Sequence, residues 1–501
     1  MEINDAETPA FLFTENLHLQ LPFTGIEKQS FRNLRVCKTQ VKNTKKYGKT
    51  LSSASQRLVD YLSDYQSVFK NKTKKFFDKA QQYTQGLLVS GKRNIEQISD
   101  TLAVVDYFQL QHFITESNWD ARDAIDLTAK QTSKTLPKRK LTGLIIDETG
   151  TVKKGDKSVG VGWQYCGNVG KTANSQVGVM ACLSNGDYAS MVDARLYLPQ
   201  NWCSDPIRCQ EAGIPEENRT FKTKIEIAYD ILLHQLELGT VFDFVGADGY
   251  YGNDINFGSM IDRVGLIYML DIHSDQPVYL EKPDLILPQR KSNRGREPKR
   301  LKATTQSIKV SEYCQGLIVN QWQKVKVRNT AKGTLTGLYH FAKVFVWNKE
   351  TNQIEQRLLV IRKTRTRSSE EIKYSFTNAE LAQFTEKAIA YMQAQRFFIE
   401  HCIKESKQIL GLSQFQTRKW LAWQHQVALN IITMCFMLKE KLYCFAEIPL
   451  LSARDIRDWL CFVLSRKQSE EAMLQMIITR HLRRQRDINY AYSREYANLS
   501  K

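Results

Sequence analysis

Two aspartates, Asp147 and Asp248, each stand directly after a short apolar segment. The segments are 141–146 (LTGLII) and 241–247 (VFDFVGA), and both have the length and composition of a strand. Ligands of open α/β sheets gather beyond the carboxyl ends of the strands, so we expect the two side chains to lie close together. Carboxylates placed in this way repel each other unless a cation lies between them, and Mg²⁺ prefers oxygen ligands.

A third acid is expected from the periodic segment 386–410, which predicts a helix. Arg396, Glu400 and Lys407 are four and seven residues apart, so they share one stripe of that helix. A carboxylate between two cations suits a metal ligand beside phosphates. It equally describes a solvated salt-bridge face, which the spacing alone favours.

Other acidic residues could compete for a metal. Asp271 also ends an apolar segment, so it is the first substitute should Asp248 prove wrong. The full set of competitors is Glu148, Asp193, Asp243, Asp254, Asp271 and Glu405.

The charge balance is strongly basic. The 501 residues contain 71 Lys and Arg against 53 Asp and Glu, a formal charge of +18. Such a surface favours a polyanionic partner, although it also describes an ordinary soluble basic protein. A glycine-, proline- and serine-containing basic run predicts a loop along phosphates, and two lysines after Asp147 could neutralise a DNA backbone or lie in a solvated turn. These residues are Arg290, Lys291, Arg294, Arg296, Lys299, Arg300 and Lys302 in the run, with Lys153 and Lys154.

Several protein classes do not fit this sequence. The ten cysteines are scattered, with no Cys-x-x-Cys pair and no zinc-ligand spacing. Residues 1–30 lack the order of a signal peptide, and the longest apolar stretch, 427–438, is shorter than the about 20 residues of a membrane span. The composition therefore predicts a cytoplasmic protein with reduced thiols and no membrane partner.

The hydrophobic pattern changes along the chain. It is helical from about 55 to 127, alternates strands with helices up to 272, is β-rich to about 366 and is helical again from 377. This order predicts an α/β fold in which helices cover a mixed sheet. The predicted segments are a basic helical DNA-binding region 1–135, catalytic parts 136–272 and 371–440, a β-rich insertion 273–370 and a helical region 441–501.

Seven segments resemble, in the same order, transposases of the IS701 family within the wider IS4-like group. They are 146–179 (IDETGTVKKGDKSVGVGWQYCGNVGKTANSQVGV), 193–202 (DARLYLPQNW), 213–216 (GIPE), 221–224 (FKTK), 246–252 (GADGYYG), 331–347 (AKGTLTGLYHFAKVFVW) and 396–412 (RFFIEHCIKESKQILGL). The resemblance implies a ribonuclease H-like catalytic domain, with a β-rich insertion before the final glutamate and helical flanks. It also implies that Asp147, Asp248 and Glu400 are catalytic and hold two Mg²⁺ ions, for which Mn²⁺ substitutes.

The IS4-like signature is Tyr-x2-Arg-x3-Glu-x6-Lys. Arg396, Glu400 and Lys407 match it, whereas Gln393 stands at the tyrosine position and Tyr391 lies two residues earlier. The resemblance implies that Arg396 and Lys407 contact phosphates near the cut, and the departure puts an aromatic phosphate contact in doubt.

The resemblance further implies cut-and-paste transposition, with nicking of the transposon ends, a hairpin intermediate and strand transfer. The expected partners are double-stranded DNA of the terminal inverted repeats and of the target, and a second copy of the chain on paired ends. The expected location is the bacterial cytoplasm, associated with the nucleoid. Trp347 and Tyr374 could stack on a flipped base, although core packing explains such aromatic residues as well.

Two other functions stay open at this point. One is a DNA-binding regulator descended from a transposase, which would bind ends without cutting them; the presence of all three acids argues against it. The other is an ordinary ribonuclease H-like nuclease, which leaves the β-rich insertion and the basic N-terminal helices unexplained.

Overall fold

The computed structural model describes most of the chain after residue 49. The described residues are 50–102, 105–138, 140–289, 298–330, 333–365, 370–448, 451–464 and 489. The described residues from 53 onward belong to one compact unit.

The first elements are helical, as the hydrophobic spacing predicts. Asn94 and Asp120 accept hydrogen bonds from backbone amides at the starts of the third and fifth helices, which fixes where these helices begin. The elements are α1 Ala54–Ser63, the hairpin strands β1 Lys70–Asn71 and β2 Lys74–Lys75, α2 Phe77–Val89, α3 Ile95–Thr101, α4 Tyr107–Thr115 and α5 Ala121–Thr135.

A mixed sheet follows. Its strands are β3 Gly143–Val152, β4 Val161–Cys166, β5 Lys171–Asn185, β6 Tyr188–Leu196, β7 Phe244–Ala247 and β8 Ile267–Ile272. β5 pairs antiparallel with β3 on one side and with both β4 and β6 on the other. β7 lies parallel to β3, and β8 lies parallel to β7. The strand order β6-β5-β3-β7-β8 therefore places β3 in the middle of the sheet.

Short helices connect these strands. Thr223 and Glu226 form a capping box at the start of the longest one, which begins at Lys224. The helical segments are α6 Gln200–Cys203, α7 Pro206–Glu211, a 3₁₀ turn Glu216–Asn218, α8 Lys224–Glu237, α9 Gly249–Gly252 and α10 Ile255–Arg263.

The β-rich segment extends the same sheet. The strand β16 (Glu370–Thr377) pairs antiparallel with β8, and Tyr374 lies opposite Ile272. The strands β15 (Gln353–Arg365), β14 (Gly333–Asn348) and β13 (Gln323–Thr330) follow outward, so the described residues form a sheet of ten strands. The elements are β9 Pro277–Val278, β10 Leu285–Ile286, β11 Lys302–Ala303, β12 Ile308–Lys309, α11 Val310–Gln315, a 3₁₀ turn Val319–Gln321, β13 Gln323–Thr330, β14 Gly333–Asn348, β15 Gln353–Arg365 and β16 Glu370–Thr377. The segments 337–347 and 353–362 pair as neighbouring antiparallel strands within β14 and β15.

The last described elements are helices. They are α12 Glu386–Gln395, α13 Phe397–Gln408, α14 Trp420–Tyr443 and α15 Ala453–Leu464. The segment predicted as one helix is thus two, which meet at Arg396. Among the described residues, α14 is the one helix long and apolar enough to cross a membrane, and 89% of its most apolar window is buried inside the protein.

The sheet separates two hydrophobic clusters. Alternating side chains of β3 point to opposite faces, so Ile145 packs with the N-terminal helices and with α12–α15, while Leu144 and Ile146 pack with α8 and α10. The N-terminal helices contact α14 directly, because the Tyr61 hydroxyl donates to the Ile432 carbonyl over 2.9 Å. The boundaries predicted at 135, 272, 370 and 440 stay predictions, but the segments on either side of them share one sheet and these two clusters.

Candidate active site

The pairing of the central strands places Asp147 beside Asp248. The last register pair of β3 and β7 is Ile146 with Ala247, so the two aspartates are the next residues along neighbouring parallel strands. Asp248 accepts a hydrogen bond from the Tyr250 amide over 3.0 Å and thereby caps α9. This is the proximity that their positions in the sequence predict.

Glu148 joins these two carboxylates. One ligand oxygen from each of Asp147, Glu148 and Asp248 can be chosen so that all three lie within 4.8 Å of one another, a group able to hold a metal ion. The Glu148 carboxylate also pairs with the Lys224 amine over 3.0 Å. The sequence predicts Glu148 only as a competitor, whereas in the structure it completes this acidic cluster and Glu400 does not.

Two carboxyl groups of the acidic cluster, those of Asp147 and Asp248, have raised pKa values. Burial raises the pKa of the Asp147 carboxyl to about 8, and the Asp248 carboxylate adds to the rise, while Arg396 opposes it. Burial also raises the pKa of Asp248, with a further contribution from Glu148. Several carboxylates are therefore held together at a cost that a bound cation would relieve.

Arg396 lies between the acidic cluster and Glu400. Its guanidinium is 2.5 Å from a Glu400 oxygen and 3.7 Å from an Asp147 oxygen. The Glu400 side chain is 51% exposed, so it borders the cleft from the solvent side. The Arg396 guanidinium thus links two of the three predicted ligands. It pairs with Glu400 one helical turn away and contacts Asp147 on the sheet.

Asp271 is tied to the same arginine. Ala247 on β7 pairs with Leu270 on β8, so the next residues along these parallel strands, Asp248 and Asp271, are neighbours. The Asp271 carboxylate is 2.8 Å from the Arg396 Nε. It is therefore occupied by an arginine, which does not favour it as a substitute metal ligand.

Two buried hydrogen bonds fix the position of the Asp271 carboxylate. Gln393 Nε2 donates to the Ser375 hydroxyl over 2.9 Å, and this hydroxyl donates to Asp271 over 2.7 Å. Ser375 is fully buried and Gln393 is 3% exposed. The glutamine that departs from the family signature thus supports the carboxylate that orients Arg396. Tyr391 points elsewhere, donating its hydroxyl to the Leu141 carbonyl over 2.9 Å.

The predicted catalytic residues line one cleft of about 1040 Å³, which contains Asp147, Glu148, Asp248, Arg396, Glu400, Lys404 and Lys407 among its walls. Lys407 is 9% exposed, and its amine donates to the Gly150 carbonyl over 2.7 Å. Burial lowers the pKa of this amine. Lys407 therefore ties α13 to β3, a contact that does not favour its predicted phosphate role, and the exposed Lys404 on the same wall has no ion pair among the described residues.

The other predicted DNA contacts divide into three groups. The Lys153 amine packs 4.3 Å from the centre of the Phe415 ring and burial lowers its pKa to about 8, which does not favour a phosphate contact. Lys154, Lys299, Arg300 and Lys302 are exposed and remain available. Arg290, Lys291, Arg294 and Arg296 lie outside the described residues.

The predicted base-stacking residues lie in packed surroundings. Tyr374 is 8% exposed and burial raises its pKa to about 12, so neither ring face is open to a base. Trp347 is partly buried, and its indole Nε1 is buried. Among the described residues, neither lines the cleft of Asp147. This burial does not favour the predicted stacking role of Tyr374, because β16 places that ring inside the core.

The remaining acidic competitors have structural partners. Asp193 is fully buried against Arg122 at 2.7 Å, and Asp243 accepts from the Thr142 amide over 2.7 Å. Asp254 caps α10, and Glu405 pairs with Lys441 at 3.2 Å. None of these carboxylates belongs to the acidic cluster of the described residues.

The chain is similar to known proteins. It is 32% identical over 188 residues to a protein of Microchaete diplosiphon named as the probable transposase for insertion sequence element IS701, a match that covers 37% of this chain and 46% of that protein. The chain thus spans about half the length of that relative. A solved structure, the cryo-EM synaptic complex of piggyBac transposase with hairpin DNA, aligns at 11% identity with a TM-score of 0.35, covering 84% of this chain and 78% of that one.

A family model settles the wider relationship. The model described as DDE superfamily endonuclease matches residues 64–334, a range that contains Asp147 and Asp248. Because this match takes in more than half of the 501 residues, the chain belongs to the DDE superfamily endonuclease family.

Proposed function

We propose that the chain is a DNA transposase of the IS701 type, which cleaves transposon ends and joins them to target DNA. The observation that carries this proposal is the register of β3 and β7, which brings Asp147 and Asp248 together at the edge of the sheet. The family match and the likeness to the IS701 protein support the reaction class.

The finer fold assignment is a ribonuclease H-like core. The order β6-β5-β3-β7-β8 supports it, because three antiparallel strands are followed by two parallel ones. In this assignment β9–β16 are the β-rich insertion between the second aspartate and the helix that carries Glu400. The insertion continues the core sheet through β16.

The residues present fit a divalent cation. Asp147, Asp248 and Glu148 offer hard oxygen ligands, and burial together with the neighbouring Asp248 carboxylate raises the pKa of Asp147. Asp147, Asp248 and Glu400 would together hold two Mg²⁺ ions, and Mn²⁺ has similar ligand preferences. Such ions would activate the attacking oxygen and stabilise the departing one in an in-line phosphoryl displacement.

Glu148 is the competing third ligand. It lies in the acidic cluster, whereas Glu400 contacts the cluster only through Arg396. We keep Glu400 because it is the exposed acid on the opposite wall of the same cleft and carries no second partner besides Arg396 among the described ion pairs. Glu148 is already neutralised by Lys224.

The basic side chains of the cleft are placed to position the DNA phosphates around the cleaved bond. Arg396 neutralises part of the carboxylate charge and presents its guanidinium to the cleft, where it can hold a phosphate oxygen. Lys407 fixes α13 against β3, which keeps Glu400 on the same cleft as Asp147. The exposed Lys404 on that wall is placed to neutralise a second phosphate.

The proposed partners are the two ends of the element and the target DNA. The formal charge of +18 supports a polyanionic partner. Because the two ends must meet before joining, we propose that two copies of the chain act together on paired ends. A hairpin step stays a prediction from the family resemblance.

A nicking assay tests the proposal against a regulator that binds without cutting. The purified protein is incubated with Mg²⁺ and a plasmid carrying its coding sequence with the natural flanking DNA, and nicks are mapped on both strands. We expect nicks at a pair of inverted repeats. Binding of the repeats without any nick, in Mg²⁺ or Mn²⁺, would favour the regulator.

A further inference from the structure

A second cleft, of about 1460 Å³, lies beside the far end of β3. The residue range 152–157, which follows the acidic cluster along the chain, forms one part of its wall. Seven cationic side chains line it against three acidic ones: Lys153, Lys154, Lys157, Lys171, Arg208, Arg418 and Lys419, with Asp156, Asp205 and Glu211. We call it the basic cleft.

Four of these cations are available to a ligand. Lys154, Lys157, Lys171 and Arg418 are exposed, and none of them has an ion pair among the described residues. The others are engaged: Lys153 packs on Phe415, Arg208 lies over the ring of Trp202 at 3.8 Å, and Lys419 pairs with Glu116 at 3.5 Å. Uncompensated cations gathered in a concave surface raise the local concentration of a polyanion.

An exposed tryptophan adds an apolar contact. Trp163 on β4 is 78% exposed and lines the basic cleft. Tyr165, two residues along the same face, is 60% exposed and lines the cleft of Asp147. The packing of the protein gives no reason for these two exposed rings. Aromatic rings beside lysines are the composition of surfaces that bind nucleic acid through both phosphate and base or sugar.

The strand geometry sets the distance between the two clefts. Asp147 and Lys154 are seven residues apart on β3 and the turn after it, which at about 3.3 Å per residue is at most about 23 Å. Duplex DNA rises about 3.4 Å per base pair, so the same span corresponds to at most about six or seven base pairs. β4 borders both clefts and gives a continuous surface between them.

We propose that the basic cleft binds the backbone of the duplex within about seven base pairs of the cleaved bond. This inference rests on the proposed function, because it takes the cleft of Asp147 as the place of cleavage. It assigns Lys154, Lys157, Lys171 and Arg418 to phosphates and Trp163 to an adjoining sugar or base. The duplex could extend from the cut into the element or into the flanking DNA, and the substrates of the test separate these two.

The test compares DNA binding by the full chain on duplexes of different reach. Fluorescence anisotropy is measured at several salt concentrations with duplexes that extend 4 or 12 base pairs from the cut, on the element side or on the flanking side. The variant combines Lys154→Gln, Lys157→Gln and Lys171→Gln. The matched control combines Lys282→Gln, Lys349→Gln and Lys387→Gln, three exposed lysines outside both clefts.

The wild type should bind one of the long duplexes at least about tenfold more tightly than the short ones, and the side that does so identifies the bound arm. The triple variant should lose this preference, with a salt slope lower by about two to three because each phosphate contact contributes about 0.9. Trp163→Ala should weaken binding of the same duplex about fivefold or more. The control variant should keep the preference.

An unchanged preference and salt slope in the triple variant would overturn the inference. Equal binding of long and short duplexes by the wild type would overturn it as well. These binding results are separate from cleavage, so a protein that prefers the long duplex but never nicks it would contradict the proposed function and not the basic cleft.

Discussion

The Arg396 guanidinium lies 2.8 Å from the Asp271 carboxylate, measured from Nε to the nearer oxygen. This pair orients an arginine that also contacts Asp147 and Glu400. Behind it, Ser375 and Gln393 fix Asp271 through two buried hydrogen bonds. The position of the arginine in the cleft thus depends on β8, β16 and α12 together.

Asp271→Asn should lower the rate of nicking by about ten- to a hundredfold with little change in DNA affinity. The amide keeps the size of the side chain but removes the charge that holds the guanidinium, so Arg396 adopts the wrong position more often. Single-turnover rates and equilibrium binding measure the two effects separately. Ser375→Ala, one step further away, should have a smaller effect in the same direction; equal affinity losses and unchanged rates in both variants would contradict a positioning role.

Glu400→Gln and Glu148→Gln separate the two candidate third ligands. If Glu400 holds a metal, its replacement should lower nicking by at least about a hundredfold and raise the Mn²⁺ concentration needed for half-maximal rate. Glu148→Gln should cost less, because Glu148 already pairs with Lys224. The measurement is a Mn²⁺ titration of the nicking rate for both variants. The reverse order of effects would transfer the ligand role to Glu148.

Lys407→Met should destabilise the fold by about 1–3 kcal/mol, because the Gly150 carbonyl loses its buried donor. Chemical denaturation measures this change. DNA affinity and its salt slope should stay close to those of the wild type, since the amine faces Gly150. A salt slope lower by about one, with unchanged stability, would instead restore the phosphate contact that the sequence predicts.

His425 makes stability fall at acidic pH. Its ring stacks on Trp119 at 3.9 Å between centroids, and burial lowers its pKa to about 4, although the carbonyls of Ile114 and Trp119 favour the charged form. The unfolded chain takes up a proton below about pH 6.5 and the folded chain does not. The stability is therefore fully present above about pH 6.5 and is lost progressively as the pH falls towards 4, by at most about 3 kcal/mol.

His425→Gln isolates this contribution because glutamine does not titrate. Denaturation at pH 7 and at pH 4.5 should give a smaller difference in unfolding free energy for the variant than for the wild type. Carboxylates elsewhere affect both proteins alike. Equal differences would mean that the pKa of His425 is the same in the folded and the unfolded protein, which would contradict this account.

The sequence predicts the parts of this site that depend on local pattern. An apolar run followed at once by an acid predicts both the strand and the place of Asp147 and Asp248, and regular strand pairing then brings them together. Helical spacing likewise places Arg396 and Glu400 on one stripe. The helix break at Arg396 carries no proline or glycine signal.

What the sequence does not predict depends on contacts between distant segments. The partner of Lys407 is Gly150, 257 residues earlier, and the Ser375 bond to Asp271 spans 104 residues. A strand pattern assigns Glu148 to the face opposite Asp147. The pairing of β7 with β3 ends at Ala247 and Ile146, so this edge of β3 is open from Asp147 onward. The carboxylates of Asp147 and Glu148 therefore both reach the cluster with Asp248.

The most direct test of the account measures Mg²⁺-dependent nicking of the element ends by Asp147→Asn and Asp248→Asn, with Asp284→Asn, an exposed aspartate outside the cleft, as the control. Both cleft variants should lose at least about a thousandfold in rate while binding the DNA as the wild type does, and the control should nick normally. Nicking at the wild-type rate by either cleft variant would contradict the claim that these two carboxylates form the cleavage centre.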